Sequence, residues 1–253
     1  MNRRRWLAGA LTVIGAAALS ACGRIGRSPV MQQAFRMAEG LTRRTQRLLI
    51  PASALAPEYR PEDISPDFRA NGSTDPQDAE YLALKANGFA DYRLMIDGLV
   101  ERPMSLSLAE VRARPARTQI TKHDCVEGWT SIGQWTGAPL AALLDEAGLK
   151  PEAKYIVFHC YDALDNTPDG DRYYESIDLI DARHPQTILA YDMNGEVLSV
   201  PHGAPLRVRV ERQLGYKHAK YIRRIEAVAS FAHIGGGKGG YWEDRGYEWY
   251  AGV

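Results

Sequence analysis

The sequence predicts an α+β domain with a large, mixed β component. Strand-like alternation recurs along much of the chain, and short helical segments interrupt it without a strict βαβ rhythm. The 253 residues also include 14 prolines and 23 glycines, which favour many loops and short elements over a helical bundle. The length supports one sizeable core or at most two small ones. No period of roughly 20–50 residues marks a repeat. Basic and acidic residues balance at 31 each, so no global basic field points to nucleic acid.

At the N-terminus, Arg3, Arg4 and Arg5 precede the apolar stretch "AGALTVIGAAAL", which runs into Leu19-Ser20-Ala21-Cys22. A positive start, a short apolar segment and small residues make residues 1–21 an export signal. The stretch is too short and Ala/Gly-rich for a spanning helix, which needs about 20 strongly apolar residues. Consecutive arginines resemble a twin-arginine signal, the route for already folded passengers. "LSAC" resembles a bacterial lipobox, with Cys22 as the lipid-bearing first residue. An uncleaved anchor or an ordinary signal cut nearby is the alternative.

Residues 22–67 form an N-terminal segment and linker. Within them, "MQQAFRMAEGLTRRTQRLLI" has apolar residues at near-helical spacing and arginines opposite, which predicts a helix that docks on the domain or lies at a membrane surface. Residues 51–78 read as irregular loop. "DAEYLALKANG" predicts a short helix stopped by Gly88. "YRLMIDGLV" alternates like a strand and turns at Asp97-Gly98. Ser107 with Glu110 is a capping-box pair for a brief helix broken at Pro115. "TQITKHDC" is the next strand, with Cys125 at its end. Pro139 opens "PLAALLDEAG", where Leu140, Leu143, Leu144 and Ala147 share a face and Gly148 stops the turn. "KYIVFHCYD", "TILAYDMNG", "PLRVRVE" and "AKYIRRIEAVA" are further strands, with a tight turn at Asn194-Gly195. The tail "GGGKGGYWEDRGYEWYAGV" carries too many Trp and Tyr rings to be merely flexible, so it is expected to pack on the domain.

Apart from Cys22, the cysteines are Cys125 and Cys160. In an oxidising compartment they would form a disulfide. Structural zinc is a second reading, with His123 and Cys125 on one strand face and His159-Cys160 on another strand. Adjacent strand residues point to opposite faces, so His159 and Cys160 do not easily reach one ion. A cysteine nucleophile is a third reading, but neither cysteine lies in a protease-type motif. From the residues alone the choice stays open.

Three blocks in order, "HDCVEGWTSIGQWTGAPLAALLDEAG", "GDRYYESIDLIDARHPQTILAYDMNG" and "PHGAPLRVRVERQLGYKHAKYIRRIEAV", resemble the molybdopterin-binding domain of the sulfite oxidase superfamily. The resemblance runs over residues 68–230 and leaves 231–253 as a Gly/aromatic tail. It implies a molybdenum–molybdopterin cofactor with the Cys125 thiolate as protein ligand to the metal. A soft anionic thiolate suits a metal that cycles between oxidation states, and a disulfide to Cys160 would remove it. The resemblance also implies that His202, Arg207, His218 and Lys220 bind the pterin and its phosphate. Asn71 is implied as a pterin contact, Arg69 as a substrate-pocket residue and Tyr173 as a tyrosine near the metal. Cys160 falls where sulfoxide-reducing relatives place a small polar residue near the cofactor. Core packing for Cys160 and an ordinary strand position for Tyr173 are the alternatives.

Sulfite-oxidising relatives carry arginines just after the ligand cysteine, to hold a small dianion. Here the run is Val126-Glu127-Gly128-Trp129, which looks more like the bacterial exported reductase of protein methionine sulfoxide. His202 departs from that pattern, since the position is histidine in sulfite oxidases and asparagine in the reductases. The expectation is an exported oxidoreductase that reduces sulfoxides, free or in peptides, by oxygen-atom transfer. A sulfite dehydrogenase, or a lipid-anchored non-catalytic binding protein that keeps the fold, is the alternative. Without a CxxCH haem motif, electrons come through a separate membrane haem protein or cytochrome. With no extra dimerisation domain, a monomer is expected. It would lie in the periplasm or on the outer cell surface, touching membrane only through its lipid.

Overall fold

The computed structural model describes residues 28–165 and 170–253. The export signal, its arginines and Cys22 lie outside the described residues. The chain divides into two compact units, Met1–Ile50 and Pro51–Val253. In the first, helix α1 (Pro29–Leu49) begins at Ser28, whose side chain accepts a hydrogen bond from the Met31 N–H. Pro29 suits the first turn because its missing N–H would be unpaired there anyway. Among the described residues no helix is long and apolar enough to cross a membrane.

In the second unit the described residues form two five-stranded sheets. In the first sheet, β1 (Arg93–Gly98) pairs antiparallel with β2 (Met104–Ser107) and parallel with β10 (Ile222–Val228). β10 continues antiparallel to β5 (Tyr155–Ala163), and β5 to β6 (Arg172–Asp178). Leu94 and Ile96 point from β1 into the core while Arg93 and Met95 face outward, the period of two that the sequence shows. Against them packs helix α4 (Leu140–Ala147). Its Leu140, Leu143, Leu144 and Ala147 are fully buried, and they share one apolar cluster with Ile156, Phe158, Ile177 and Ile225. Burial of each leucine contributes about 1.5–3 kcal/mol. Helix α2 (Ala79–Ala86) is capped by Asp78. Helix α3 (Leu108–Arg112) carries the capping box of Ser107 and Glu110, and it ends before Pro115.

The second sheet runs β3 (Arg117–Asp124), β4 (Thr130–Pro139), β7 (Ile188–Met193) and β8 (Glu196–Val197), with β9 (Arg207–Arg209) beside β7. Strand β4 is not evident from its sequence, because two glycines and a terminal proline make "TSIGQWTGAP" read as turn-rich. Pairing with β3 on one edge and β7 on the other holds it extended. Its buried Trp135 anchors a small cluster with Phe68, Ile188, Ala190, Met193 and Leu198. The turn between β7 and β8 has Asn194 and Gly195 both at positive φ, the backbone a two-residue hairpin turn needs. Residues 51–78 are largely irregular, with a 3-10 turn at Pro61–Asp63 and a bridge from Glu58 to Thr121. Two short helices, α5 (Leu179–Ala182) and α6 (Tyr241–Asp244), complete the unit.

Candidate cofactor cleft

Strands β3 and β4 form a hairpin, and Cys125 sits at its tip. The Cys125 N–H donates to the Trp129 carbonyl and the Gly128 N–H to the Cys125 carbonyl, both at 3.0 Å. Backbone geometry therefore fixes the cysteine and leaves its side chain free of structural duty. Its Sγ faces a cleft, where the Asn71 amide nitrogen lies 3.6 Å away. Cys125 and Cys160 are both free thiols, and no group of three or more His, Cys, Asp or Glu among the described residues is arranged to hold a metal ion.

Two residues before Cys125, His123 points into the same cleft from β3. Arg209 Nη1 lies 3.0 Å from its Nδ1. A guanidinium only donates, so Nδ1 accepts and the neutral ring carries its proton on Nε2. Burial, then the charges of Arg209, Arg207 and Lys220, hold His123 well below the usual imidazole range. Arg209 is itself completely buried, in a two-pronged pair with Glu211 at 2.9 and 2.7 Å. Trp135 lies beneath both Arg207 and Arg209, at 4.9 and 4.5 Å from their guanidinium carbons. Two like charges are thus held close together under one end of the cleft.

The "PHGAP" turn supplies the opposite wall. His202 donates from Nε2 to the Phe68 carbonyl at 2.9 Å, and its Nδ1 accepts from the Ser199 hydroxyl at 2.8 Å. Burial lowers its pKa, so the ring is neutral and fixed. Arg207 donates to the His202 carbonyl at 2.9 Å. Burial and Arg209 push its pKa down to about 9, which leaves it charged at neutral pH. Lys220 donates to the carbonyls of Asn71 (2.8 Å), Pro201 (3.0 Å) and Ser73, tying the loop that carries Asn71 to the turn that carries His202. Gly203 joins these walls with φ +112°, and a Cβ there would come within 3.0 Å of Lys220 and 3.2 Å of Arg207. Only glycine fits both the backbone and the space.

The buried His218 donates from Nε2 to the Gln213 carbonyl at 3.0 Å, and burial with Arg209 holds its pKa well below the usual value. Asp162, on β5, reaches the same space. Burial raises its carboxyl to about 7, against the opposing pull of Lys220. Tyr173 is buried at the cleft wall, but its hydroxyl donates to the Tyr216 carbonyl at 2.5 Å. Arg69 stands at the mouth, mostly exposed, 5.6 Å over the Trp129 ring and 3.9 Å from Glu127.

One cleft therefore collects Cys125, Asn71, Arg69, Tyr173, His202, Arg207, His218 and Lys220. Cys160 does not join them. It is 1% exposed in the main apolar cluster and borders a second cavity, with His159, Tyr174 and Arg224. β5 leaves regular pairing with β6 after His159, and Asp162 rather than Cys160 reaches the cleft. Sequence reasoning did not single out Ser73, Asp162, Arg209, Trp242 or Tyr247. His123 entered only as a zinc candidate, although its place two residues before Cys125 on one strand face marks it as a cleft residue.

An accessible thiol beside a cradle of buried cations and fixed neutral histidines makes a cleft suited to a polar, anionic ligand. The chain belongs to the oxidoreductase molybdopterin-binding domain family, whose description matches residues 81–233, and it is a molybdopterin-dependent oxidoreductase. It is 34% identical over 250 residues to a provisionally named protein-methionine-sulfoxide reductase subunit, YedZ1, of Azospira oryzae, covering 99% of this chain and 87% of that protein. It is 32% identical over 162 residues to the protein-methionine-sulfoxide reductase catalytic subunit MsrP of Campylobacter jejuni, covering 61% of this chain and 54% of that protein. Among solved structures, the sulfane dehydrogenase SoxCD of Paracoccus pantotrophus matches with a TM-score of 0.50 and 28% identity, over 56% of this chain and 39% of that one.

The cleft residues fit such a cofactor. Ser73 Oγ, Asp162 Oδ1, Arg207 Nε and His218 Nδ1 are buried with no hydrogen-bond partner among the described residues, and all four residues line the cleft. Buried polar atoms are almost always paired. A pterin edge and a phosphate offer the donors and acceptors these four lack.

Proposed function

We propose that the protein is an exported, molybdenum-dependent reductase of sulfoxides of the methionine sulfoxide type. The observation that carries this reading is the mouth of the cleft, where Val126, Glu127 and Trp129 follow Cys125 and the nearby cation, Arg69, lies against Glu127. Sulfite, a small dianion, needs net positive charge to be held. A neutral S=O group needs apolar surface and a hydrogen-bond donor. His202, the sulfite-oxidase residue type, adds no charge here because both ring nitrogens are engaged and the ring is neutral. The names of the two methionine-sulfoxide-reductase relatives support the same substrate class.

In this reading Cys125 is the protein ligand to molybdenum, while Arg207, His218, Ser73 and Asp162 hold the pterin and its phosphate. Molybdenum, when bound, supplies two-electron oxygen-atom transfer. The net change breaks the S–O bond, leaves the sulfur as a thioether and releases the oxygen as water, consuming two electrons and two protons. His202 and Lys220 hold the walls at fixed spacing, and neutral His123 keeps a single proton on Nε2. Arg69 is the donor at the mouth. Tyr173 would donate to the substrate oxygen only by leaving the Tyr216 carbonyl. Electrons arrive from a separate haem-bearing partner, in keeping with the words "subunit" and "catalytic subunit" in the relatives' names.

The test compares kcat/KM for sulfoxides with an artificial donor against kcat/KM for sulfite with an artificial acceptor. Sulfoxide reduction is expected to dominate. A tenfold or larger preference for sulfite would defeat the reductase reading.

The lipobox-like "LSAC" supports anchoring through Cys22 to a membrane, in the periplasm or on the outer cell surface. Cys22→Ser is expected to shift the protein from the membrane to the soluble exported fraction, because acyl chains supply most of such an anchor. Unchanged membrane retention of that variant would rule the anchor out.

A further inference from the structure

The family match ends at residue 233, yet two later residues, Trp242 and Tyr247, line the same cleft as Cys125. They stack on each other at 5.1 Å and 26°, and Tyr247 meets Tyr216 edge-on at 5.3 Å. Next to them, Tyr241 stacks on Tyr173 at 5.5 Å and 27°. The segment thus continues the cleft wall as a run of aromatic faces. Tyr247 keeps 39% of its surface exposed, so its ring is open to solvent at the cleft mouth.

The charges of residues 241–247 are directed elsewhere. Glu243 binds Lys217. Asp244 accepts from the Tyr174 hydroxyl and from the N–H groups of Gly236 and Lys238. Arg245 lies 3.5 Å over the Tyr241 ring and pairs with Asp171. None of these three lines the cleft. Among the described residues the tail shows the cleft only aromatic surface.

A buried clamp holds this wall. Lys217 Nζ lies 2.5 Å from both Glu175 Oε1 and Glu243 Oε1, and all three side chains are at most 1% exposed. Lys217 follows Tyr216 and precedes His218, so the same turn that carries cleft residues carries the clamp. Gly240 pairs with Glu175, and a Cβ on Gly240 would fall 2.0 Å from Glu243 Oε2. The end of the chain is fastened by the Leu214 N–H to the Ala251 carbonyl at 2.8 Å and by Trp249 Nε1 to Ser176 Oγ at 2.8 Å.

We infer that Trp242 and Tyr247 are specificity-determining residues: with Trp129 they grip the methylene stem of a methionine sulfoxide side chain borne on a peptide, and Lys217, Glu175 and Glu243 position them. The apolar methylene groups of such a side chain pack favourably on aromatic rings, and a half-open aromatic rim admits a side chain that a peptide presents. The inference rests on the sulfoxide-reductase reading.

The experiment uses dye-reduced holoenzyme and two substrates, a methionine-sulfoxide peptide and dimethyl sulfoxide, which has no methylene stem to grip. Trp242→Ala and Tyr247→Ala are expected to lower kcat/KM for the peptide at least tenfold more than for dimethyl sulfoxide, mainly through KM. Trp242→Phe and Tyr247→Phe, which keep a ring, are expected to recover most of the loss. Gly240→Ala, which displaces Glu243, should reproduce the peptide defect. Calorimetric binding of the peptide to oxidised holoenzyme should weaken in parallel.

If the wild type reduces both substrates but the alanine variants lose both equally or neither, the aromatic wall is refuted while the reductase reading stands. Wild-type activity on dimethyl sulfoxide but not on the peptide has the same consequence. A wild type that reduces no sulfoxide overturns the reductase reading and the inference with it.

Discussion

Cys125→Ser is expected to abolish turnover while leaving a folded protein that still carries pterin. The hairpin tip depends on backbone bonds, from Cys125 to Trp129 and from Gly128 back to Cys125, which a serine preserves. Among the described residues the side chain itself accepts from the Asn71 amide at 3.6 Å. Its loss should move stability by no more than about 0.5 kcal/mol, as for most substitutions away from buried networks. The chemistry is another matter, because a serine hydroxyl is a harder donor that keeps its proton near neutral pH, whereas a thiolate suits a redox-cycling metal. The loss of activity should exceed the roughly 10–100-fold that follows from removing a ligand's outer partner. Melting temperature, pterin content and molybdenum content measured on the same preparation separate ligand loss from misfolding. A Cys125→Ser enzyme with near-normal turnover would end the ligand assignment.

Much of the fold was legible where side-chain periodicity and local chemistry agree. The leucine face of α4, the capping box of α3 and the alternation of β1 each follow from neighbours within a few residues, and each is present in the structure. Strand β4 was hidden for the opposite reason. Its extension depends on β3 and β7 on its two edges, which no local pattern reports. The cleft residues of "PHGAP" and "YKHAK" were legible through the family resemblance of those blocks, since each alone reads as an ordinary strand charge. The cleft was illegible where a long-range contact decides a role. Asp162 and Cys160 lie two apart in one strand, and only the break in pairing after His159 sends one to the cleft and the other to the core. The tail announced its packing through its aromatic content, but the buried Lys217 clamp joins residues 42 and 26 positions apart. Nothing in the sequence links them.

Arg207→Ala is expected to produce the second large effect, a loss of cofactor. Removing one hydrogen bond to a charged group costs about 1.5–3 kcal/mol, which is roughly a tenfold or larger drop in affinity. The structure adds a reason for the upper part of that range. Arg207 is buried, already gives Nη1 to the His202 carbonyl at 2.9 Å and Nη2 to the His218 carbonyl at 3.5 Å, and keeps its Nε without a partner among the described residues. A donor that is desolvated in advance recovers more on meeting an anion than one that must first shed water. Arg207→Lys keeps the charge but loses the planar fork and the stacking over Trp135, so it should fall between wild type and alanine. Lys220→Ala should fail differently. Its ammonium ties the Asn71, Ser73 and Pro201 carbonyls together, and its loss should lower the melting temperature of the cofactor-free protein as well as pterin content. For Arg207→Lys the cofactor-free melting temperature should change much less than the pterin content. Released pterin fluorescence and metal analysis on purified variants measure occupancy directly. Full pterin and molybdenum content in both Arg207→Ala and Lys220→Ala would show that the cofactor's phosphate is held elsewhere.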